Sequence, residues 1–381
     1  MRNIADTIAR LAAMRESPAR FGGAHASDRL SDREAFGSNP GALRARTYFP
    51  ATLQKRAPLV VVLHGCTQTA ASYDHGSGWS RLADRFGFAL LFPEQQRANN
   101  ANHCFNWFQP EDNRRGGGEA LSIRQMIAAA SADGRIDPER IFVTGLSAGG
   151  AMASVMLATY PELFAGGAVI AGLPYGAANT VPEAFDRMRG HGLPSEGELQ
   201  SLLASASNHR GRWPAISIWH GTGDRTVDSA NADAVAAQWL GVHGLTERPT
   251  ASQAEGRYSR SVWQAADGSE RIESWRITGM GHGTPLDAAG AEPLGVPGPY
   301  MIDAGISSTW HIARFFGLAG TSAQRPAARD EVVQDGEARR FAARPSGEQA
   351  GREEPGAPAS LPGGAIGKVI QDALRRAGLM R

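Results

Sequence analysis

Gly145-Leu-Ser147-Ala-Gly149 places a serine between two glycines, directly after an apolar run and before a second, longer one. A serine set on a sharp strand-to-helix turn exposes its oxygen at a helix N-terminus, where negative charge is stabilised. Its hydroxyl is a weak nucleophile and needs a base to take the proton. Downstream, His220-Gly-Thr-Gly-Asp224 follows an apolar strand, and Asp224 falls in the loop where a carboxylate can orient an imidazole. Gly279-Met-Gly-His282-Gly lies just past a further strand and supplies that imidazole. Asp228 is the rival acid, read here as capping the helix that begins beside it. His311 is the rival base, set inside a helical pattern. A tetrahedral intermediate also needs two backbone donors. The N–H of Ala148 is one, and the glycine-containing loop His64-Gly-Cys66-Thr-Gln offers that of Cys66 as the other. Together these groups describe acyl transfer through a covalent serine intermediate, without metal or cofactor.

The elements that must hold these groups alternate along the chain. Strands are expected at 43–49, 59–63, 88–92, 140–144, 167–171, 215–219, 258–264 and 270–278. Helices are expected at 79–86, 119–132, 148–160, 228–242 and 307–316. Leu59-Val-Val-Val-Leu63 is uninterrupted by polar residues, as in strands buried on both faces. Such alternation implies a mostly parallel sheet covered by helices on both sides. Residues 173–212 break the pattern and read as an insertion over the site.

Domain limits follow from composition. Residues 1–41 read as an amphipathic helix, at 1–14, and a flexible tether. Residues 42–318 form the catalytic domain. Residues 319–363, rich in Ala, Gly, Pro, Arg and Glu, read as a disordered linker, and 364–381 as a second amphipathic helix. With 39 basic and 38 acidic residues there is no electrostatic footprint for nucleic acid or anionic lipid. No segment reaches the length of a membrane span. The N-terminus lacks an uninterrupted apolar stretch of the secretory type, so a cytoplasmic location is expected. Cys66 and Cys104 can form one bridge or stand as two partly buried thiols in a reducing cytosol; both readings stay open.

The stretches LVVVLHGCTQTAASYDHGSGW, LLFPEQQRANNANHCFNWFQPEDNRRGGGE, VTGLSAGGAMASVMLATYPELFAGGAVIAGLPYG and IWHGTGDRTV resemble the esterases of the poly(3-hydroxybutyrate) depolymerase family over roughly residues 43–318. The resemblance implies an α/β-hydrolase fold and a serine esterase acting on short acyl or hydroxyalkanoate esters, small or oligomeric. It carries the nucleophile onto Ser147, the acid onto Asp224, the base onto His282 and the oxyanion loop onto Cys66. It also raises a Cys66–Cys104 bridge across the site, as in relatives. The family is related to feruloyl and acetylxylan esterases, so a carbohydrate-linked acyl ester is the alternative substrate. Its extracellular polymer-degrading members carry a signal peptide and a further domain that this sequence does not show. Trp107 and Phe108, with Trp79 and Trp263, are candidates for an apolar acyl pocket, and the loop Arg114–Glu119 is a further candidate for substrate contact. The terminal helices are candidates for docking on polymer granules or for self-association. A non-catalytic granule protein is the reading of a different class.

Overall fold

The structure, a computed structural model, describes residues 28–290 and 293–320. In chain order its strands are β1 (Ser31–Asp32), β2 (Arg44–Tyr48), β3 (Ala57–Leu63), β4 (Ala89–Glu94), β5 (Ile136–Leu146), β6 (Gly166–Ile170), β7 (Ala215–Gly221), β8 (Ala251–Glu255), β9 (Tyr258–Gln264), β10 (Glu270–Ile277), β11 (Thr284–Leu286) and β12 (Met301–Asp303). The helices are α1 (Ala70–Ser77), α2 (Trp79–Phe86), α3 (Gly118–Ser131), α4 (Ala148–Thr159), α5 (Val181–Met188), α6 (Glu196–Ser205), α7 (Ala230–His243) and α8 (Ser308–Phe315).

The main sheet runs in the order β1-β2-β4-β3-β5-β6-β7-β10-β9-β8. Its six central strands, β4 to β10, are mutually parallel, and antiparallel pairs close both edges. The continuous apolar run of β3 has the reason expected of it. Leu59, Val61 and Leu63 enter one core layer with α3, α4 and α7, while Val60 and Val62 enter the other with α1, α2 and α8. Alternate side chains point to opposite faces, so a strand covered on both sides must be apolar throughout. Each such buried side chain is worth about 1.5–3 kcal/mol relative to exposure.

Several elements depart from the sequence reading. The described part of the expected tether, 28–41, is packed: β1 pairs with β2, the Gly41 N–H donates to Ser122 Oγ at 2.8 Å, and the Asn39 N–H donates to Gln125 Oε1 at 2.9 Å. Its partners are tertiary, on β2 and α3, and polar composition does not display them. Helix α1, with the polar sequence AASYDHGS, has no apolar periodicity to announce it; a capping box between Thr69 and Ser72 starts it. Strand β8 is exposed at every residue and carries no alternation. The insertion 173–212 leaves the sheet after β6 and holds α5 and α6. The Gln238 amide on α7 fastens it, accepting from the Tyr175 N–H and donating to Tyr175 O, both at 2.9 Å, and to Leu199 O at 3.1 Å. The helices expected at 1–14 and 364–381, and the linker from residue 321 on, lie outside the described residues.

Candidate active site

Ser147 joins β5 to α4 with φ 57° and ψ −119°, a strained conformation for a residue with a side chain. The sheet holds it there, since its N–H donates to Ile170 O at the end of β6, at 2.9 Å. The flanking glycines have a steric cause. A Cβ on Gly145 would lie 2.3 Å from Gly149 O, and one on Gly149 would lie 2.4 Å from Leu63 O. Strand, turn and helix approach so closely that any side chain would collide.

Asp224 follows β7, two strands from β5, at the same carboxyl edge. Its loop is stapled to the one after β10: the Gly223 N–H donates to Met280 O at 2.9 Å, the Thr222 N–H to Ile277 O at 3.0 Å, and the Gly279 N–H to Thr222 Oγ1 at 2.9 Å. A Cβ on Gly221 would strike Met280 O at 2.3 Å, so the two loops touch main chain to main chain. In consequence His282 Nδ1 stands 2.7 Å from Asp224 Oδ2. Asp224 Oδ1 accepts from the N–H groups of Thr226 at 2.8 Å and Val227 at 3.0 Å. Burial opposes ionisation of Asp224, but the bonds from His220 and His282 outweigh it and hold the carboxyl well below the usual range. An ionised carboxylate only accepts, so His282 carries its proton on Nδ1 and turns an open Nε2 lone pair outward. Among the described residues no hydrogen bond joins that nitrogen to Ser147 Oγ; in ligand-free sites such contacts are often long. The Tyr300 ring meets the edge of His282 at a centroid distance of 6.0 Å.

In the loop after β3 the amide groups sort themselves. The Gly65 N–H donates to Gln68 Oε1 at 2.9 Å, the Thr67 N–H to Asn102 O at 2.7 Å, and the Gln68 N–H to Gly65 O at 3.3 Å. Among the described residues the Cys66 N–H has no acceptor. The Ala148 N–H opens α4 and has no carbonyl one turn behind it. His64 packs under the loop. Its Nδ1–H donates to Gly65 O at 2.8 Å and its Nε2 accepts from the Gln95 N–H at 3.1 Å, while burial lowers its pKa to about 4. Cys66 is bonded to Cys104, which settles the question left open by the sequence.

That disulfide leads to a cluster that sequence reasoning missed. Glu119, fully buried at the start of α3, accepts from Gln95 Nε2 at 2.6 Å, Asn99 Nδ2 at 3.3 Å and the Asn106 N–H at 2.9 Å. Burial first, then the charge of Asp112, pushes its carboxyl up to about 8. The group clamps the loop that carries Cys104. The available signal was an acidic first-turn residue beside a run of Asn and Gln, which does not separate a solvated helix start from a buried hub.

The rivals have other occupations. Asp228 Oδ1 accepts the Ala230 N–H at the start of α7, at 2.9 Å. His311 lies against Trp219 and Trp275 on α8. The four aromatic candidates divide. Trp107 and Phe108 lie beyond the carboxyl end of β4, edge to face at 5.4 Å, in the loop tied to Cys66. Trp79 and Trp263 are corrected to core positions at the opposite edge. Trp79 is 1 % exposed and packs on Phe88, just before β4 begins. Trp263 pairs with Ile272 near the start of β10, and its Nε1–H donates to Glu247 O at 3.0 Å. Aromatic type alone does not reveal which end of a strand a ring faces. In the loop Arg114–Glu119, Arg115 donates to Thr159 O at the end of α4 and pairs with Glu162, both at 2.6 Å, an anchoring role.

The sequence profile of the family described as Esterase PHB depolymerase matches residues 44–262. The chain is 46% identical over 294 residues to Poly(3-hydroxyalkanoate) depolymerase C of Paucimonas lemoignei, covering 76% of this chain and 70% of that one. It is 33% identical over 263 residues to an acetylxylan esterase of Coprinopsis cinerea, covering 67% of this chain and 69% of the other. A solved acetyl xylan esterase from Aspergillus awamori superposes with a TM-score of 0.65 at 25% identity, over 76% of this chain and 99% of that one. Among the described residues no helix is long and apolar enough to cross a membrane. The chain belongs to the Esterase PHB depolymerase family and is a carboxylic ester hydrolase of the serine hydrolase class, built on the α/β-hydrolase fold.

Proposed function

We propose that the chain hydrolyses short hydroxyalkanoate esters, as monomers or oligomers, through an acyl-enzyme on Ser147. His282 Nε2 takes the Ser147 proton as Oγ attacks the ester carbonyl, and the oxyanion rests on the N–H groups of Ala148 and Cys66. Asp224 steadies the imidazolium, which protonates the leaving alcohol; water then repeats the sequence and frees the acid. The observation that carries this reading is the 2.7 Å contact of His282 Nδ1 with Asp224, which leaves Nε2 as the open base at the edge of the sheet where Ser147 stands. Trp107 and Phe108 supply the apolar wall on the acyl side.

The similarity to the Paucimonas depolymerase supports hydroxyalkanoate esters as the substrate class, and that to the acetylxylan esterases supports acyl sugars as the second reading. A panel of p-nitrophenyl acetate, hydroxybutyrate oligomers, acetylated xylan and methyl ferulate separates them. The oligomers are expected to give the highest kcat/KM, and a preference for the sugar esters would reverse the assignment. Ser147→Ala is expected to lose about 10⁴- to 10⁶-fold in kcat on every ester. If it kept its activity, the site would lie elsewhere; if it lost activity but kept its biological role, the non-catalytic reading would gain.

We further propose that the terminal segments dock on hydrophobic polyester surfaces or on each other. Deleting residues 319–381 then lowers partitioning onto polyester particles and leaves p-nitrophenyl acetate hydrolysis unchanged; equal partitioning would end this part of the proposal. The Cys66–Cys104 disulfide weighs toward an oxidising compartment, against the cytoplasmic location expected from the N-terminal sequence.

A further inference from the structure

His220 is 1 % exposed, at the carboxyl end of β7, four residues before Asp224. Its Nε2 lies 3.0 Å from Val227 O and 3.4 Å from Asp224 Oδ2, the same oxygen that His282 Nδ1 contacts at 2.7 Å. A carbonyl and an ionised carboxylate only accept, so Nε2 bears the hydrogen. Its Nδ1 is buried with no hydrogen-bond partner. The ring hydrogen therefore sits on Nε2, between two acceptors. An unpaired buried nitrogen calls for an explanation. Packing alone supplies none, because an apolar side chain would fill the space without leaving a lone pair unmet.

We infer that His220 is a positioning residue for the hydrolytic site: its Nε2–H, shared between Val227 O and Asp224 Oδ2, fixes the plane of the Asp224 carboxylate on which His282 turns. This rests on the reading of Ser147, His282 and Asp224 given above. With this donor, Oδ1 receives two backbone N–H groups, and Oδ2 is hydrogen-bonded to His282 and in 3.4 Å contact with His220. Each lone pair then has a set direction, and the carboxylate cannot rotate away from His282 without breaking another bond. The same hydrogen ties Val227 back to β7, closing the loop that carries Asp224. His220 touches no substrate; it acts through Asp224.

The test uses the full chain, p-nitrophenyl acetate and two variants. Glutamine reaches with an Nε2–H to the place of the imidazole Nε2–H, whereas leucine fills similar space and donates nothing. His220→Leu is expected to lower kcat about 10- to 100-fold, as displacement of a reacting group by an ångström does, with KM within about twofold of the parent. His220→Gln is expected to recover most of that loss. In ¹⁵N NMR of histidine-labelled protein, the His220 ring hydrogen is expected on Nε2 rather than on Nδ1 alone, a reading that stands even if the leucine variant fails to fold. Equal impairment of both variants, no impairment of either, or a ring hydrogen on Nδ1 alone would overturn the inference. Ser147→Ala runs beside them: if that variant stays active, the reading of the site itself has failed, whatever the His220 variants do.

Discussion

The loops after β7 and β10 are fastened to each other mostly main chain to main chain, whereas those after β3 and β4 share one such bond, from the Thr67 N–H to Asn102 O, and otherwise depend on side chains and a disulfide. In the first pair, Gly221 and Gly223 lie against Met280 O, and the bonds run from Thr222 and Gly223 to Ile277 and Met280. In the second, the Cys66–Cys104 bond and the Glu119 cluster carry the work, with Gln95, Asn99 and Asn106 around one carboxylate. Both pairs spring from neighbouring parallel strands, so the difference follows from loop length. The loops after β7 and β10 spring from neighbouring parallel strands and are short, so their backbones meet directly. The loop between β4 and α3 runs from residue 95 to 117 and cannot satisfy its own backbone within the sheet. Asp224 and His282, the proposed acid and base, are thus held by elements that persist as long as the sheet does. The expected oxyanion donor Cys66 is held by side chains that single substitutions can remove.

This contrast has consequences, the largest in the backbone-held half. Asp224→Asn keeps an oxygen for the Thr226 and Val227 N–H groups, so the loop should keep its shape. Its amide would select the wrong imidazole tautomer, and kcat should fall about 10⁴-fold. A fall of less than tenfold in a steady-state assay would dissociate Asp224 from the base. In the side-chain-held half, replacing both Cys66 and Cys104 by serine should cost about 2–4 kcal/mol, because the bond closes a sequence separation of 38 residues. Chemical denaturation measures that loss. Turnover should drop in parallel as the Cys66 N–H loses its aim, while an unchanged kcat would show that the loop holds its shape without the bond.

The smallest expected effect is that of Glu119→Gln. All three partners of this carboxyl donate hydrogen bonds to it. A glutamine must turn its own NH₂ toward one of them, leaving a buried donor unmet at about 1–3 kcal/mol. The pH dependence has a defined sign. The Glu119 pKa is raised from 4.5 to about 8, so the folded state keeps a proton that the unfolded state releases. The parent should therefore lose stability as pH rises from about 4.5 to about 8. The gap in melting temperature between parent and variant should therefore narrow as pH rises through that window. A constant gap would mean that Glu119 stays ionised throughout.

Much of the site is legible in the chain because its constraints are local. A serine at the β5–α4 turn needs glycines at 145 and 149, and an acid and a base must follow strands, so Ser147, Asp224 and His282 stand out by type and neighbourhood. The apolar run of β3 likewise announces a strand covered on both faces. Other features depend on which distant atoms meet. Nothing near Glu119 distinguishes a surface acid from a buried hub, nothing in His-Gly-Thr-Gly-Asp says that His220 reaches the same oxygen as His282, and Trp79 and Trp107 are one residue type at opposite ends of the sheet. Sequence alone determined the alternation of elements, the two-sided core and the candidate groups at the strand ends, because turn sterics and periodicity act between near neighbours. Only the tertiary structure decided the Cys66–Cys104 bond, the packing of residues 28–41 and the partners of the buried polar groups, because each is set by approach between segments far apart in the chain.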